Sequence, residues 1–352
     1  MNILHINNNK SWRGGEKQVH FLFTFFSKDF QKFLFCVEGS ELQKRNLDNK
    51  RVFTFKRNLF SFLFTAYCLK KVCKKSAIDL IHIHDSHSLN YYIFSRFLGL
   101  KTPAVIHRHV NFEIKSFWKY KISGVLKIIC VSDEVKLNFI KKIDEKLLVV
   151  IPPCIDVYKG SFSSARENKE EILVSINTKI IGTVSALEKE KNIKEFIYIA
   201  KELLSSNEDL FFIIFGEGSE REVLKRKIIE ENLDKKILLV GYRENIQQDI
   251  GLLDLFLFTS KNEGFPLVLL EAMSSKIPIV SANSGGIKNM IIPKFNGLVY
   301  SSGDIKGAIS EVNSILEDVT LKDFLVDNAL NYVKQFDVPL INKKIEEMYN
   351  KL

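Results

Sequence analysis

No apolar run in this chain of 352 residues reaches the roughly 18 residues that a bilayer-spanning helix requires, so a helical membrane span is not expected. Cysteine is scarce. The five residues, Cys36, Cys68, Cys73, Cys130 and Cys154, are odd in number, scattered, and contain no Cys-X-X-Cys pair. They predict inert core thiols in a reduced cytoplasm rather than a disulfide framework. Zinc-finger spacing, an RNA-recognition signature and a DNA-reading helix motif are all missing, which argues against nucleic acid as a partner. The N-terminal MNILHINNNK lacks a cleavage-site pattern and reads as a first strand rather than a signal peptide. Acidic residues are the minority charge, 42 against 51 Lys and Arg, for a net charge of +9. That excess points to an acidic partner, either a phosphate-rich ligand or an anionic membrane.

What is present is the composition of a soluble globular protein, 46% hydrophobic and 26% charged, long enough for two domains. Short apolar strands alternate with amphipathic helices throughout, which implies doubly wound parallel sheets. The first half holds strands at 2–6, 32–38 and 51–55, and strand-bearing stretches at 78–88, 102–112, 124–140 and 146–156. A polar stretch at 157–173 marks the boundary, and the rhythm restarts at 178. The expected domains are residues 1–160 and 170–336, with a C-terminal helix of about 337–352 returning to the first domain after a break at Pro339. Two such halves place a cleft between them for a substrate.

Four stretches carry chemistry. In the first, the strand 2–6 runs into Trp12-Arg13-Gly14-Gly15-Glu16 and then a helix, a layout that offers backbone N–H groups to an anion. Trp12 either covers an entrance or packs. In the second, strands ending in His82, His84, Asp85 and in His107, Arg108, His109 bring polar groups to strand carboxyl ends, where cleft residues gather. His82 and His84 share a face with no second ligand motif, so a cleft lining is expected before zinc. The third is the basic and aromatic segment 56–76, which reads either as a helix on an anionic bilayer or as a crossover helix with a solvated basic end.

The fourth is Glu263-Gly264-Phe265-Pro266-Leu267-Val268-Leu269-Leu270-Glu271. A strand of apolar residues precedes it and a helix follows, with Pro266 expected at the first helical position, where its missing N–H costs nothing. The helix N-terminus favours a phosphate. One acid lies before the helix and the other more than a turn inside it.

The order WRGGE, HRH (107–109), EKEKN (188–192), FGEGSE (215–220), GYRENI (241–246), E-x7-E and NGLVY resembles the family-4 retaining glycosyltransferases, of glycosyltransferase group 1 type. The resemblance implies an α/β GT-B fold, two Rossmann-like doubly wound parallel-sheet domains facing a cleft. The WRGGE form resembles a subgroup acting in bacterial polysaccharide and lipopolysaccharide biosynthesis. By resemblance, Glu263 contacts the donor sugar and His109 the sugar or acceptor, the two catalytic candidates. Glu271 holds the nucleotide ribose and Lys191 neutralises the diphosphate. The turn of Gly264, Phe265, Pro266 and Leu267 cradles diphosphate and sugar hydroxyls. Gly14, Gly15 and Gly216 complete the donor site, and Tyr242 and Arg243 meet the base. One position departs from the pattern: Ala186 stands where many members carry a second clamp Arg, leaving Lys189, Arg13 or Arg108 to supply that charge.

No Asp-X-Asp pair occurs, so the metal signature of the other major glycosyltransferase fold is missing and no metal or other cofactor is expected. The expected activity is transfer from a UDP- or GDP-sugar to a lipid-linked or cell-surface polysaccharide acceptor. The expected location is the cytoplasm, peripheral on the inner face of the membrane. The alternatives are a non-catalytic nucleotide-sugar-binding subunit and a GT-B nucleotide-sugar epimerase.

Overall fold

The computed structural model describes residues 1–47, 50–57, 61–157, 178–244, 246–261 and 263–352. Two compact units emerge, Met1–Cys154 with Phe336–Leu352, and Ile155–Gln335. The boundary stretch read from the sequence, 157–173, lies outside the described residues from 158 onward.

The first unit holds seven parallel strands: β1 Asn2–Asn7, β2 Gln31–Val37, β3 Val52–Phe55, β4 Leu80–Ile83, β5 Ala104–Arg108, β6 Val125–Cys130 and β7 Leu148–Val150. Their order is β3-β2-β1-β4-β5-β6-β7. The second holds six: β8 Lys179–Val184, β9 Leu210–Phe215, β10 Ile237–Gly241, β11 Leu255–Phe258, β12 Ile279–Ala282 and β13 Leu298–Tyr300, in the order β10-β9-β8-β11-β12-β13. Strands such as LFFIIF in β9 are apolar on both faces because helices cover both sides of a parallel sheet. In each sheet the order reverses once, between β1 and β4 and between β8 and β11. Loops diverge from the strand carboxyl ends at such a switch point and leave a crevice there.

Two helix boundaries differ from the sequence reading. Pro266 is the N-cap, with φ −75° and ψ 103°, and the helix is Leu267–Ser274. The proline therefore sits one position earlier than expected, where its missing N–H is equally harmless. The C-terminal segment breaks before Pro339. A helix ends at Val333, a 3₁₀ turn spans Lys334–Phe336, and Asp337 caps the helix Val338–Tyr349 by accepting from the Val338 N–H. Pro339 then lies in the first turn, which tolerates it.

The helix Val338–Tyr349 is stitched into the core of the first unit. Val338, Ile341, Ile345, Met348 and Tyr349 cluster with Phe21, Phe26 and Phe30. Glu346 accepts from the Ser27 N–H at 2.9 Å. Truncation of Ile345, which is 2% exposed, removes buried apolar contacts that the packed helix cannot refill. Ile345→Ala is expected to destabilise the first unit by about 2–5 kcal/mol in urea unfolding, whereas a loss under about 1 kcal/mol would mean the helix is not docked.

Candidate active site

In the second unit the two strands that flank the switch point deliver the E-x7-E and EKEKN stretches to one place. After β8 the chain runs through Ser185-Ala186-Leu187 into a 3₁₀ turn at Lys189–Lys191, then turns at Asn192, whose left-handed φ of 55° starts the helix Ile193–Ser206. After β11 comes Thr259–Lys261. The two loops are sewn together. The Lys261 N–H donates to Glu190 O at 3.1 Å, Thr259 Oγ1 to Lys191 O at 3.3 Å, and Ser260 Oγ to Glu190 O at 3.4 Å. Across this seam Lys191 Nζ donates to Glu263 Oε1 at 2.6 Å, with side chains only 21% and 14% exposed. A charge-assisted bond of this length between half-shielded partners fixes both groups.

The turn at Glu263-Gly264 is held from the other side. The Gly286 N–H donates to Glu263 O at 2.8 Å. A Cβ at Gly286 would stand 2.1 Å from Gly264 O, so no other residue fits that contact. The helix Leu267–Ser274 that follows receives no side-chain cap from Pro266, which leaves its dipole end for an anion. Glu271 lies in its second turn and is buried.

The GEG turn supports the same loop from below. Gly216 has φ +137°, and a Cβ there would lie 1.8 Å from Ser185 O. The Leu187 N–H donates to Glu217 O at 2.9 Å, and the Gly216 N–H to Gly241 O at 2.8 Å. Exposed Tyr242 and Arg243 follow Gly241, and Arg243 Nε lies 3.9 Å from Asp249 Oδ1. Ala186 is half-buried, its carbonyl accepting from Ser185 Oγ and the Glu188 N–H, while Lys189 is exposed.

In the first unit, Arg13 caps the helix Gly14–Phe25 and its N–H donates back to Glu16 at 3.2 Å. Glu16 is buried, accepts from Asn7 and Asn9 at 3.2 and 2.6 Å, and burial raises its pKa. Gly15 lies against the His109 ring, where a Cβ would come within 3.9 Å of it. Trp12 packs against the apolar cluster of Val19, Phe23 and Leu34, under the Arg45 guanidinium at 4.3 Å. Arg108 Nη2 donates to Phe112 O at 2.7 Å.

The histidines gather more closely than the sequence suggested. His5 on β1 stands in register with His82 on β4. His5 Nδ1 lies 3.1 Å from His84 Nε2, and His84 Nδ1 lies 3.3 Å from His109 Nε2. His82 lies tilted beside His84 and His107 stacks on His109, with ring centroids 4.1 and 4.0 Å apart. The fold thus gives His82 and His84 the further imidazole neighbours His5, His107 and His109. The triads His5-His82-His84 and His84-His107-His109 each bring three ring nitrogens within 4.8 Å of one another. Both triads share His84, whose two nitrogens are each spent on another ring, so the geometry suits a hydrogen-bonded row better than a chelate. Burial lowers every one of these pKa values, His5 to about 3 and His109 to about 4, so all five rings are neutral at pH 7.

The model of the family described as "Glycosyltransferase Family 4" matches residues 12–159, and that described as "Glycosyl transferases group 1" matches residues 164–331. The chain is a glycosyltransferase. It is 27% identical to the Escherichia coli UDP-Gal:alpha-D-GlcNAc-diphosphoundecaprenol alpha-1,3-galactosyltransferase, over 92% of this chain and 89% of that one. It is 25% identical to the Campylobacter jejuni GalNAc-alpha-(1->4)-GalNAc-alpha-(1->3)-diNAcBac-PP-undecaprenol alpha-1,4-N-acetyl-D-galactosaminyltransferase, over 87% and 84% of the two. In fold it matches Anabaena HepE in complex with UDP-glucose, with a TM-score of 0.87 and 22% identity over 100% of both chains. The architecture is GT-B.

Within this glycosyltransferase, Lys191, Gly216, Tyr242, Arg243, Gly264, Phe265, Pro266, Leu267, Glu263 and Glu271 all lie on loops at strand carboxyl ends of the second unit or on the helix that follows. Gly14, Gly15 and His109 come together in the first. Two features escaped the sequence reading. One is the direct Lys191–Glu263 pair, formed by residues 72 apart. The other is His5, a polar residue between Leu4 and Ile6 whose partner is visible only once β1 and β4 are neighbours.

The histidine row also sets a pH response. Below its ordinary pKa of 6.5 each imidazole takes up a proton in the unfolded chain but not in the folded enzyme. Stability is therefore full above about pH 7 and falls as pH drops through 6.5. With His5, His82, His84 and His107 all buried, unfolding between pH 6.5 and 5.5 is expected to lose more than the ~1.4 kcal/mol per pH unit of a single proton. Denaturation midpoints across that range check this, and a flat profile would contradict it.

Proposed function

We propose that the enzyme moves a sugar, with retention of configuration, from a UDP- or GDP-sugar to a lipid-linked or cell-surface polysaccharide acceptor. The observation that carries this is the Lys191–Glu263 pair at 2.6 Å on two loops joined at the switch point. Departure of a nucleotide diphosphate builds negative charge on phosphate and positive charge on the sugar. Lys191 and the open N-terminus of the helix Leu267–Ser274 answer the first, and Glu263 answers the second. The pair holds the two opposite charges ready beside each other, and Lys191 turns to the diphosphate as the donor enters. Glu271 takes the ribose, and exposed Tyr242 and Arg243 flank the base. Lys189 supplies the second phosphate charge that Ala186 omits, since Arg108 is engaged at Phe112. UDP in the names of the similar galactosyltransferase and of the HepE complex favours a uridine donor. No catalytic metal is invoked, because the leaving group is met by Lys191 and backbone N–H groups.

A bilayer-linked acceptor is supported by the helix Phe62–Lys75. Among its described residues Thr65, Ala66, Leu69 and Cys73 are buried, whereas Leu63, Phe64 and Tyr67 are exposed. Phe97, 80% exposed, and Leu98 add exposed apolar side chains at the end of the neighbouring helix Ser86–Phe97, and Lys70, Lys71, Lys74 and Lys75 lie in the second half of Phe62–Lys75. Apolar side chains beside a lysine row suit an anionic membrane surface. No helix among the described residues is long and apolar enough to cross a membrane.

The test is nucleotide release and product formation from a nucleotide sugar and a polyprenyl-diphosphate glycan. Lys191→Met and Glu263→Ala are expected to stay folded and lower kcat by roughly 10²–10³-fold. Turnover is expected to persist in EDTA and to rise with anionic vesicles in a manner lost in Phe64→Ser/Phe97→Ser. Tight nucleotide binding without release would favour a non-catalytic subunit, and interconversion of free nucleotide sugars an epimerase.

A further inference from the structure

The imidazole row behind His109 fixes which of its nitrogens carries the proton. A neutral imidazole has one N–H and one lone pair. His84 uses Nδ1 toward His109 Nε2 and Nε2 toward His5 Nδ1. The three rings must therefore point their protons the same way, and only two senses exist. In one, His109 Nε2–H donates inward, His84 Nε2–H passes on to His5, and the row ends in an N–H on His5 Nε2. In the other, His5 Nδ1–H donates to His84, His84 Nδ1–H donates to His109 Nε2, and the His109 proton is left on Nδ1.

The inner end of the row decides between them. His5 Nε2 is fully buried and has no hydrogen-bond partner among the described residues. A buried N–H without an acceptor is costlier than a bare lone pair there. We infer that His5 and His84 are positioning residues that hold His109 in its Nδ1–H form, presenting a hydrogen-bond donor, and not a base, to the bound substrates. This rests on the proposed function, with His109 taken as the residue that contacts the donor sugar or acceptor. Its Nδ1 makes no hydrogen bond among the described residues, and Gly15 lies against the ring. Neutrality of the whole row follows from burial, which lowers the pKa of each ring. The groups facing it are His82 and His107, both neutral, and Tyr349, whose hydroxyl pairs with His82 Nδ1 and which burial keeps protonated.

The consequence is a division of labour at this end of the site. His109 donates to an oxygen of the donor sugar, the acceptor or the diphosphate. It does not remove the proton from the attacking hydroxyl, which needs another acceptor.

The experiment is ¹⁵N–¹H correlation of the histidine side chains in full-length enzyme at pH 7.5, with His109→Gln to assign the His109 signals. The expected spectrum shows His109 protonated at Nδ1 and bare at Nε2. In His84→Leu, the His109 Nε2 loses its donor, the tautomer shifts toward the Nε2–H form of free imidazole, and kcat falls roughly tenfold with little change in KM for the nucleotide sugar. In His84→Asn, an amide N–H close to the Nδ1 position restores the Nδ1–H form and most of kcat. An Nε2–H or cationic His109 in the unmutated enzyme overturns the inference, as does a His84→Leu variant with unchanged tautomer. The spectrum is read without turnover, so a wrong tautomer in an active transferase sinks this inference alone, whereas absent transfer with the Nδ1–H tautomer sinks only the proposed function.

Discussion

The bond between Lys191 and Glu263 is the constraint on which the second unit's site depends. Each side chain alone would be a solvated charge on a loop. Joined at 2.6 Å and mostly shielded, they hold two loops from opposite sides of the switch point in one register. That register requires β8 and β11 to be neighbours in a parallel sheet, and it requires their loops to bond at Lys261, Thr259 and Ser260. The pair is thus the chemical expression of the strand order. Under the proposed function, it also stores the charges that transfer would use in mutually neutralising form until a ligand separates them.

The glycines serve this arrangement by removing side chains where backbones meet. Gly216 and Gly218 let the GEG turn press on Ser185 and Leu187, the loop that leads to Lys191. Gly286 does the same for Gly264, beside Glu263. Each contact is closer than any Cβ permits, so the placement of the pair depends on positions that carry no side chain. In the first unit burial does the corresponding work. The histidine row is kept neutral by its surroundings, and its polarity is set at the buried end.

Much of this was legible in the chain. Strand–helix alternation gave two parallel sheets, and the E-x7-E and GEG stretches landed at carboxyl ends because apolar runs of strand length precede them. Period and spacing are local properties, and local properties survive without a structure. What stayed hidden was pairing across distance. Nothing near Lys191 announces Glu263, and His5 in NILHIN looks like an isolated polar residue between Leu4 and Ile6 until β4 lies beside it. Helix edges slipped for a smaller reason: Pro266 and Pro339 are both harmless over several neighbouring positions, so proline marks a helix start only to within a residue or two. Trp12, for which the sequence left covering an entrance and packing both open, packs under Arg45.

The central claim is that the switch-point loops of the second unit bind a nucleotide diphosphate sugar through Lys191 and Glu263. Thermal unfolding with a panel of UDP- and GDP-sugars tests it most directly, since a ligand of the folded state stabilises by about 2.7 kcal/mol at a hundredfold excess over Kd. At least one nucleotide sugar should raise the midpoint of the wild-type enzyme and fail to raise that of a folded Lys191→Met/Glu263→Gln variant. An equal shift in both proteins, or no shift with any donor, would contradict the account.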